Sequence, residues 1–189
     1  VVQCGDVTCS SGNSIVTVDS SGDVGYKPSL RLNATGSPVI SYYDDTNRDL
    51  KLVYCGNADC TANNSIVTVD SNGDAGGFSS LAFDGNGYPL ISYSNSGHLL
   101  VAHCFDVTCA GSKTIVAVDQ KEQVGWGNSL QRHPLGLSLI SYYDSANQDI
   151  KLVLCGEPGC TSGGSAAVVD SVGSGSGTFI LPATSLFLD

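Results

Sequence analysis

The residues with the clearest chemistry are eight cysteines, which form four close pairs with four residues between the members of each pair. The pairs are Cys4 and Cys9, Cys55 and Cys60, Cys104 and Cys109, and Cys155 and Cys160. Paired cysteines at short spacing form either disulfides in an oxidising compartment or zinc sites. A closed zinc site needs two pairs to meet in space, whereas these pairs recur one per repeat. We therefore predict four disulfides within the pairs, no metal or cofactor, and an extracellular location.

Two triplets of the form Asn-x-Ser/Thr could carry N-linked glycans. They begin at Asn33 and Asn63, and both fall in segments that read as turns. An extracellular protein with exposed turns is a suitable substrate for this modification. The alternative is that such short triplets occur by chance. We treat both asparagines as candidate glycosylation sites.

Three large aromatic residues follow a glycine in the loops between repeats, namely Tyr26, Phe78 and Trp126. Aromatic faces at recurring loop positions can stack on sugar rings, which would indicate a carbohydrate-binding protein. Large rings also contribute strongly to burial, so the alternative is that they pack between neighbouring sheets. Both interpretations remain open at the level of sequence.

Acidic loop residues resemble fragments of metal sites without completing one. The loops that begin at Asp19 and Asp70 look like half of a calcium loop, but the pattern D-x-[DN]-x-[DN]-G is absent. We expect these side chains to cap turns, because Asp readily accepts hydrogen bonds from nearby backbone amides. The D-x-x-N-x-D hairpins that begin at Asp44 and Asp144 are interpreted in the same way.

Catalytic motifs are missing from the chain. The three histidines, His98, His103 and His133, do not occupy equivalent positions in the repeats. Neither a G-x-S-x-G nucleophile elbow nor an H-E-x-x-H zinc pair occurs in the sequence. We predict that the protein is not an enzyme.

The cysteine pairs reveal the internal repeat that must position all of these groups. Successive first cysteines are 51, 49 and 51 residues apart, and the shorter interval coincides with a shortened turn at residues 95–98. A period near 50 is typical of propeller blades. We divide the single domain, residues 1–189, into a half repeat 1–28, three repeats 29–78, 79–127 and 128–177, and a half repeat 178–189.

Each repeat predicts four short strands, which in the first complete copy span residues 29–33, 38–44, 49–55 and 64–70. They are rich in Val, Ile, Leu, Tyr and Thr and are separated by Gly, Asn, Asp and Ser. The second strand has adjacent apolar residues, such as Leu90 and Ile91, which is typical of a strand covered on both faces.

The two half repeats predict how the fold closes. The N-terminal half matches the third and fourth strands, and we expect the last twelve residues to supply the first two. The predicted fold is therefore an all-β, four-bladed β-propeller of four-stranded blades with one blade shared between the termini. The C-terminal half could instead complete a neighbouring molecule, which would build a filament by strand addition.

Composition narrows the range of partners. The formal net charge is -10 and only 14% of residues are charged, which disfavours nucleic acid and anionic membranes as partners. No apolar run is long enough to span a membrane. No methionine and no leader sequence occur, which indicates a processed chain or part of a longer one. The expected partners are another copy of the chain or glycans.

The repeat S-L-x-x-D/N-x-x-G-x-P-x-I-S-Y-Y-D-x-x-N-x-D-L-K-L-V-x-C resembles repeats of large secreted bacterial proteins described as β-propeller-like. The resemblance covers nearly the whole chain and implies the fold but no activity. The S-x-D-x-G-x-T-W box of sialidase propellers is absent, so no glycosidase residues are implied. We predict an extracellular structural or surface protein that could be a filament subunit, with a carbohydrate-binding propeller as the alternative.

Overall fold

The computed structural model describes residues 1–171 and 184–186, and every regular element in this part of the chain is a β-strand. The strands are β1 (Val2–Gln3), β2 (Ser14–Ile15), β3 (Val24–Leu32), β4 (Pro38–Asp44), β5 (Asp49–Tyr54), β6 (Ser65–Asp70), β7 (Ala75–Phe83), β8 (Pro89–Asn95), β9 (His98–Cys104), β10 (Lys113–Asp119), β11 (Trp126–Arg132), β12 (Ser138–Asp144), β13 (Asp149–Cys155) and β14 (Gly164–Ser171). The prediction of an all-β chain is confirmed.

Each complete repeat forms one antiparallel sheet whose strands follow the order of the chain. Sheet 1 contains β3–β6, sheet 2 contains β7–β10 and sheet 3 contains β11–β14, while β1 and β2 pair as a two-stranded N-terminal sheet. The shortened turn in sheet 2 is a hairpin with Ser96 and Gly97 between β8 and β9. Their φ angles of 50° and 86° belong to the tight two-residue turns that match strand twist.

The first strand of each sheet is longer than the alternation pattern predicts. Strands β3 and β7 begin at Val24 and Ala75, five residues before the predicted starts. A register irregularity interrupts both strands, because Lys27 and Phe78 adopt positive φ angles of 47° and 54°. Bulged residues of this kind break the alternation of inward and outward side chains, so the pattern conceals the first part of the strand.

The sheets stack face to face, with a separate apolar core at each junction. One core lies between sheets 1 and 2 and contains Ile91, and a second lies between sheets 2 and 3 and contains Leu90. These neighbours on β8 therefore face different cores, and all seven residues of β8 are buried. The prediction of a second strand covered on both faces is confirmed. A smaller third core joins the N-terminal sheet to sheet 1.

A serine hydroxyl repeats at the junction of sheets 1 and 2 and at the junction of sheets 2 and 3. The amide of Leu81 donates to Ser29 Oγ at 3.0 Å, and the amide of Leu130 donates to Ser80 Oγ at the same distance. At the C-terminal end, the amide of Leu186 donates to Ser129 Oγ at 3.0 Å. Residues 184–186 therefore occupy, on sheet 3, the position that a first strand takes on the preceding sheet.

The last twelve residues are predicted to supply the first two strands of a fourth unit. The described residues of this segment bond to β11 and β12, with no described pairing to β1 or β2. Residues 178–183 and 187–189 of the predicted half repeat lie outside the described residues.

The stacking of the sheets predicts that the same substitution has different costs in stability at two equivalent leucines. Leu81 is 0% exposed beneath sheet 1, whereas Leu30 is 44% exposed. We expect Leu81→Ala to lower the free energy of unfolding by about 3 kcal/mol, because it leaves a cavity in a closed core. Leu30→Ala should cost about 1 kcal/mol or less, since water already reaches that side chain. Urea unfolding of both variants measures the difference, and equal losses would contradict this stacking.

Candidate functional site

The cysteines lie in the predicted pairs at disulfide separation. Cα–Cα distances run from 4.7 to 5.1 Å, and each bond closes the loop between the third and fourth strands of its unit. The second cysteine of every pair has a positive φ between 51° and 58°. Each pair lies within its own unit, so two pairs do not combine into a four-cysteine site. The geometry therefore favours disulfides over zinc.

Burial separates the first disulfide from the other three. The six cysteines from Cys55 to Cys160 are 0% exposed, because each pair packs toward the preceding sheet. Cys4 and Cys9 are exposed, since none of the described sheets packs against this pair. The same repeated loop thus meets two different solvent environments.

The acidic loop residues cap turns, as predicted. The carboxylate of Asp19 accepts the amide of Ser21 at 3.0 Å, and that of Asp70 accepts the amide of Asn72 at 3.0 Å. In the D-x-x-N-x-D hairpins, Asp44 accepts both the amide and the side-chain nitrogen of Asn47. The second of these hairpins repeats the arrangement. These carboxylates are therefore turn formers.

The same capping aspartates also bind the next sheet through a tyrosine hydroxyl, which sequence reasoning missed. The three hydrogen bonds run from Tyr42 to Asp19 at 2.5 Å, from Tyr93 to Asp70 at 2.7 Å and from Tyr142 to Asp119 at 2.8 Å. Each tyrosine is buried and lies 23 residues after its partner. Burial, followed by the bond to aspartate, raises the pKa of all three hydroxyls above the ordinary value, so they remain donors.

Lysines complete this junction at two of the three places. Lys51 Nζ lies 3.0 Å from Asp44 and 3.5 Å from Asp19, and Lys151 makes the equivalent contacts in sheet 3. The side chain of Asp44 is fully buried. Burial alone would raise the pKa of Asp44, but hydrogen bonds from Asn47 and the charge of Lys51 outweigh it, so the pKa is lowered. The carboxylate is therefore charged and paired.

In sheet 2, neutral residues stand at the positions of both the charged aspartate and the charged lysine. Asn95 stands where sheet 1 has Asp44, and Leu100 stands where it has Lys51. The side-chain amide of Asn95 donates to Asp70 at 3.1 Å, which supplies the donor that lysine provides elsewhere. Paired replacement avoids a buried charge without a partner, which would be costly. The paired change between repeats was the signal in the sequence that could have identified this site.

The three aromatic candidates do not occupy equivalent positions in their strands. Strand pairing places Tyr26 opposite Tyr43 and Trp126 opposite Tyr143, but the equivalent residue of sheet 2 is Gly77. Phe78 is one position later, since it precedes the leucine of its strand by three residues, whereas Tyr26 and Trp126 precede theirs by four. The rings of Phe78 and Trp126 lie 6.0 Å apart, centroid to centroid, with an angle of 22° between their planes. Tyr26 is exposed, and its hydroxyl donates to Asp23.

The two candidate glycosylation sites differ in their surroundings. Asn33 holds a turn, because its Oδ1 accepts the amides of Thr35 and Ser37 and its Nδ2 donates to the Tyr54 hydroxyl at 2.8 Å. Asn63 is exposed in the loop before β6. A glycan on Asn63 would leave the described hydrogen bonds of the fold intact, so Asn63 is the more accessible of the two predicted sites.

Both ends of the stack carry open apolar surfaces. The first, the N-terminal groove, is a cavity of about 410 Å³ whose lining includes Val1, Ile15, Val18, Leu30 and Ile40. The second, the C-terminal face, lies on the outer strands of sheet 3. It includes Val168 and Val169 of β14, which is exposed along its whole length. Val169 is 63% exposed, while Val69 at the same place in sheet 1 is 3% exposed beneath sheet 2.

Replacing the charges of sheet 1 by the residues of sheet 2 tests the junction. We expect Lys51→Leu to lower the free energy of unfolding by about 3 kcal/mol, because it leaves Asp44 buried without its cation. Adding Asp44→Asn should recover at least half of that loss. The exposed Lys121→Leu is the control, with a change within about 0.5 kcal/mol. Urea unfolding measures all variants, and a double variant no more stable than Lys51→Leu would contradict the pairing.

The disulfides should differ in their rate of reduction under native conditions. We expect mild reductant to open Cys4–Cys9 first, because thiol exchange needs access to a sulfur and this is the exposed pair. Labelling with iodoacetamide followed by peptide mass spectrometry measures the order. Cys55–Cys60 is the matched internal control, since it closes the same loop but is 0% exposed. Equal rates for the two pairs would show that the described burial is wrong.

Among residues 1–171 and 184–186, no group of three or more His, Cys, Asp or Glu side chains is placed to hold a metal ion. The described residues include no helix long and apolar enough to cross a membrane.

Comparison of the chain with protein-family models, curated proteins and solved structures finds no match.

Proposed function

We propose that this chain is an extracellular structural or surface protein that associates head to tail with further copies of itself. The observation that carries the proposal is the pair of open faces at the two ends of the stack. The N-terminal groove belongs to the side of sheet 1 that meets a preceding unit, and the C-terminal face belongs to the side of sheet 3 that meets a following one. They correspond to the two sides of one type of junction.

The internal junctions indicate what such an association would look like. Between sheets 1 and 2, Leu81 and Val69 are almost fully buried, whereas the equivalent Leu30 and Val169 are exposed at the ends. Contact between the ends of two molecules would remove this apolar surface from water and bring related surfaces together. Because the two surfaces differ, the contact is heterologous, and its repetition gives a ring or a filament.

We also propose that the units follow a four-bladed, propeller-like plan whose fourth unit combines an N-terminal end with a C-terminal end, either of one chain or, in a filament, of two neighbouring chains. The N-terminal sheet corresponds to the third and fourth strands of that unit. Residues 184–186 correspond to part of its first strand, held on sheet 3 by Ser129 and by the carbonyl of Gly127. In the filament version, the N-terminal sheet of the next molecule lies against this strand.

An extracellular setting is supported by the disulfides. Four pairs at bonding distance, with no free cysteine among the described residues, are typical of proteins in oxidising compartments. The formal charge of -10 favours solubility and opposes non-specific association with nucleic acid. A structural role is consistent with loops that are each closed by a covalent bond.

Sedimentation velocity of the purified chain, from micromolar to near-millimolar concentration, tests the association. We expect larger species to appear as the concentration rises. Ile15→Asp in the N-terminal groove and Val169→Asp on the C-terminal face should each weaken association by about tenfold or more, because burying an unpaired carboxylate is costly. Leu135→Asp is the matched control, since Leu135 is 78% exposed, as is Ile15, but lies in the turn between β11 and β12.

A strictly monomeric species at every concentration would overturn the proposal. Association that Leu135→Asp weakens as strongly as the other two variants would also overturn it, because the contact would then not involve the end faces.

A further inference from the structure

A cleft on the surface of sheets 1, 2 and 3 is separate from the open end faces. Its volume is about 400 Å³, and its lining includes Lys27, Tyr43, Asp74, Phe78 and Trp126. The two aromatic rings are half-buried, which leaves part of each accessible to solvent. Lys27 comes from β3, while Phe78 and Trp126 come from the first strands of the next two sheets. The stacking of the sheets therefore builds the cleft.

Two departures of sheet 2 from its neighbours open this cleft. Gly77 occupies the position that holds Tyr26 in sheet 1 and Trp126 in sheet 3, so a large side chain is missing between them. Phe78 adopts a φ of 54°, close to 47° at the equivalent Lys27 and 55° at the equivalent Gly127, so the departure of sheet 2 is the large ring and not the backbone angle. A bulky residue in this left-handed region is strained, and such strain clusters at functional sites. The ring of Phe78 is thus held in the cleft at a cost in backbone energy.

The polar groups of the cleft are fixed by contacts within the protein. The Tyr43 hydroxyl donates to Asp74 Oδ1 at 2.6 Å, while the carboxylate of Asp74 remains exposed to solvent. Burial and this hydrogen bond raise the pKa of Tyr43 to about 12, so the hydroxyl stays protonated. The ammonium of Lys27 lies 3.5 Å from the centroid of the Phe78 ring. The cleft therefore has an aromatic wall beside a positively charged hydrogen-bond donor, Lys27, and a negatively charged acceptor, Asp74.

We infer that this cleft binds a neutral saccharide, with the C–H face of one pyranose ring stacked on Trp126. The indole offers a flat apolar surface, and the carboxylate of Asp74 accepts hydrogen bonds from sugar hydroxyls. Ser94 and Ser96, which also line the cleft, supply short hydroxyl groups at its edge. A few polar groups around an apolar wall are the usual composition of a small-molecule site. This inference stands on residues outside the two end faces.

The charges in and around the cleft favour a neutral saccharide over a charged one. A cationic ligand is disfavoured because Lys27 already occupies the position above the Phe78 ring that a cation would take. An anionic polysaccharide is disfavoured because Asp74 lines the cleft and the whole chain carries a formal charge of -10. Within the cleft, the charges of Lys27 and Asp74 offset one another. A sugar without carboxylate or sulfate groups meets neither repulsion.

Trp126 is the only tryptophan in the chain, so its fluorescence reports directly on the cleft. We would titrate the protein with four neutral oligosaccharides, namely cellohexaose, laminarihexaose, chitohexaose and mannohexaose. Oligoalginate and oligogalacturonate provide the anionic comparison. We expect a saturable change in emission with at least one neutral oligosaccharide and with neither anionic one. No saturable change with any neutral probe, or binding confined to the anionic probes, would overturn the inference.

Calorimetry with the best neutral probe then locates the site. We expect Trp126→Ala to weaken binding by about tenfold or more, while Trp126→Phe, which keeps a ring, loses less. Phe78→Gly should also weaken binding and should fold normally, because glycine suits the positive φ at that position. Tyr26→Ala is the matched control, since this exposed ring lies outside the cleft and its removal should leave affinity unchanged. Equal losses for Tyr26→Ala and Trp126→Ala would overturn the assignment.

Discussion

The hydrogen bond from a buried tyrosine to the aspartate of the preceding unit is the interaction on which this architecture depends. It occurs between Tyr42 and Asp19, Tyr93 and Asp70, and Tyr142 and Asp119. Apolar contacts between sheets are not directional, so they favour stacking without selecting one alignment. A buried carboxylate must find its donor, and a misaligned sheet would leave it unsatisfied. The bond therefore fixes how each sheet lies on the one before it.

Charge at the same junction shows how the repeats diverged without losing this alignment. Sheets 1 and 3 place a lysine between two aspartates, whereas sheet 2 has Asn95 and Leu100 at the positions of Asp44 and Lys51. Each version leaves the capping aspartate with a hydrogen-bond donor. Removing a buried carboxylate together with its cation avoids the penalty of an isolated charge. Differences among repeats of one chain thus carry physical information about which residues meet.

A repeat of this type cannot cover both of its own faces, and that constraint shapes the ends of the molecule. Sheet 2 lies between two others and contains β8, whose seven residues are all buried. Sheet 1 keeps Leu30 partly exposed, and the outer strands of sheet 3 expose Val169. The open surfaces arise where a neighbouring sheet is not described, whereas the cleft around Phe78 arises where sheet 2 has Gly77 in place of a large side chain.

The sequence alone determined the period, the class of fold, the four strands per repeat and the cysteine pairing. All of these depend on residue types and spacings along one chain, because alternation, turn residues and a short loop are local properties. Only the tertiary structure decided which groups meet across the junctions, such as Tyr93 with Asp70. It also decided that Phe78 and Trp126 share a cleft while Tyr26 does not. The bulge that recurs in each first strand changes which residues share a face, and this follows from strand pairing, which spacing along the chain does not reveal.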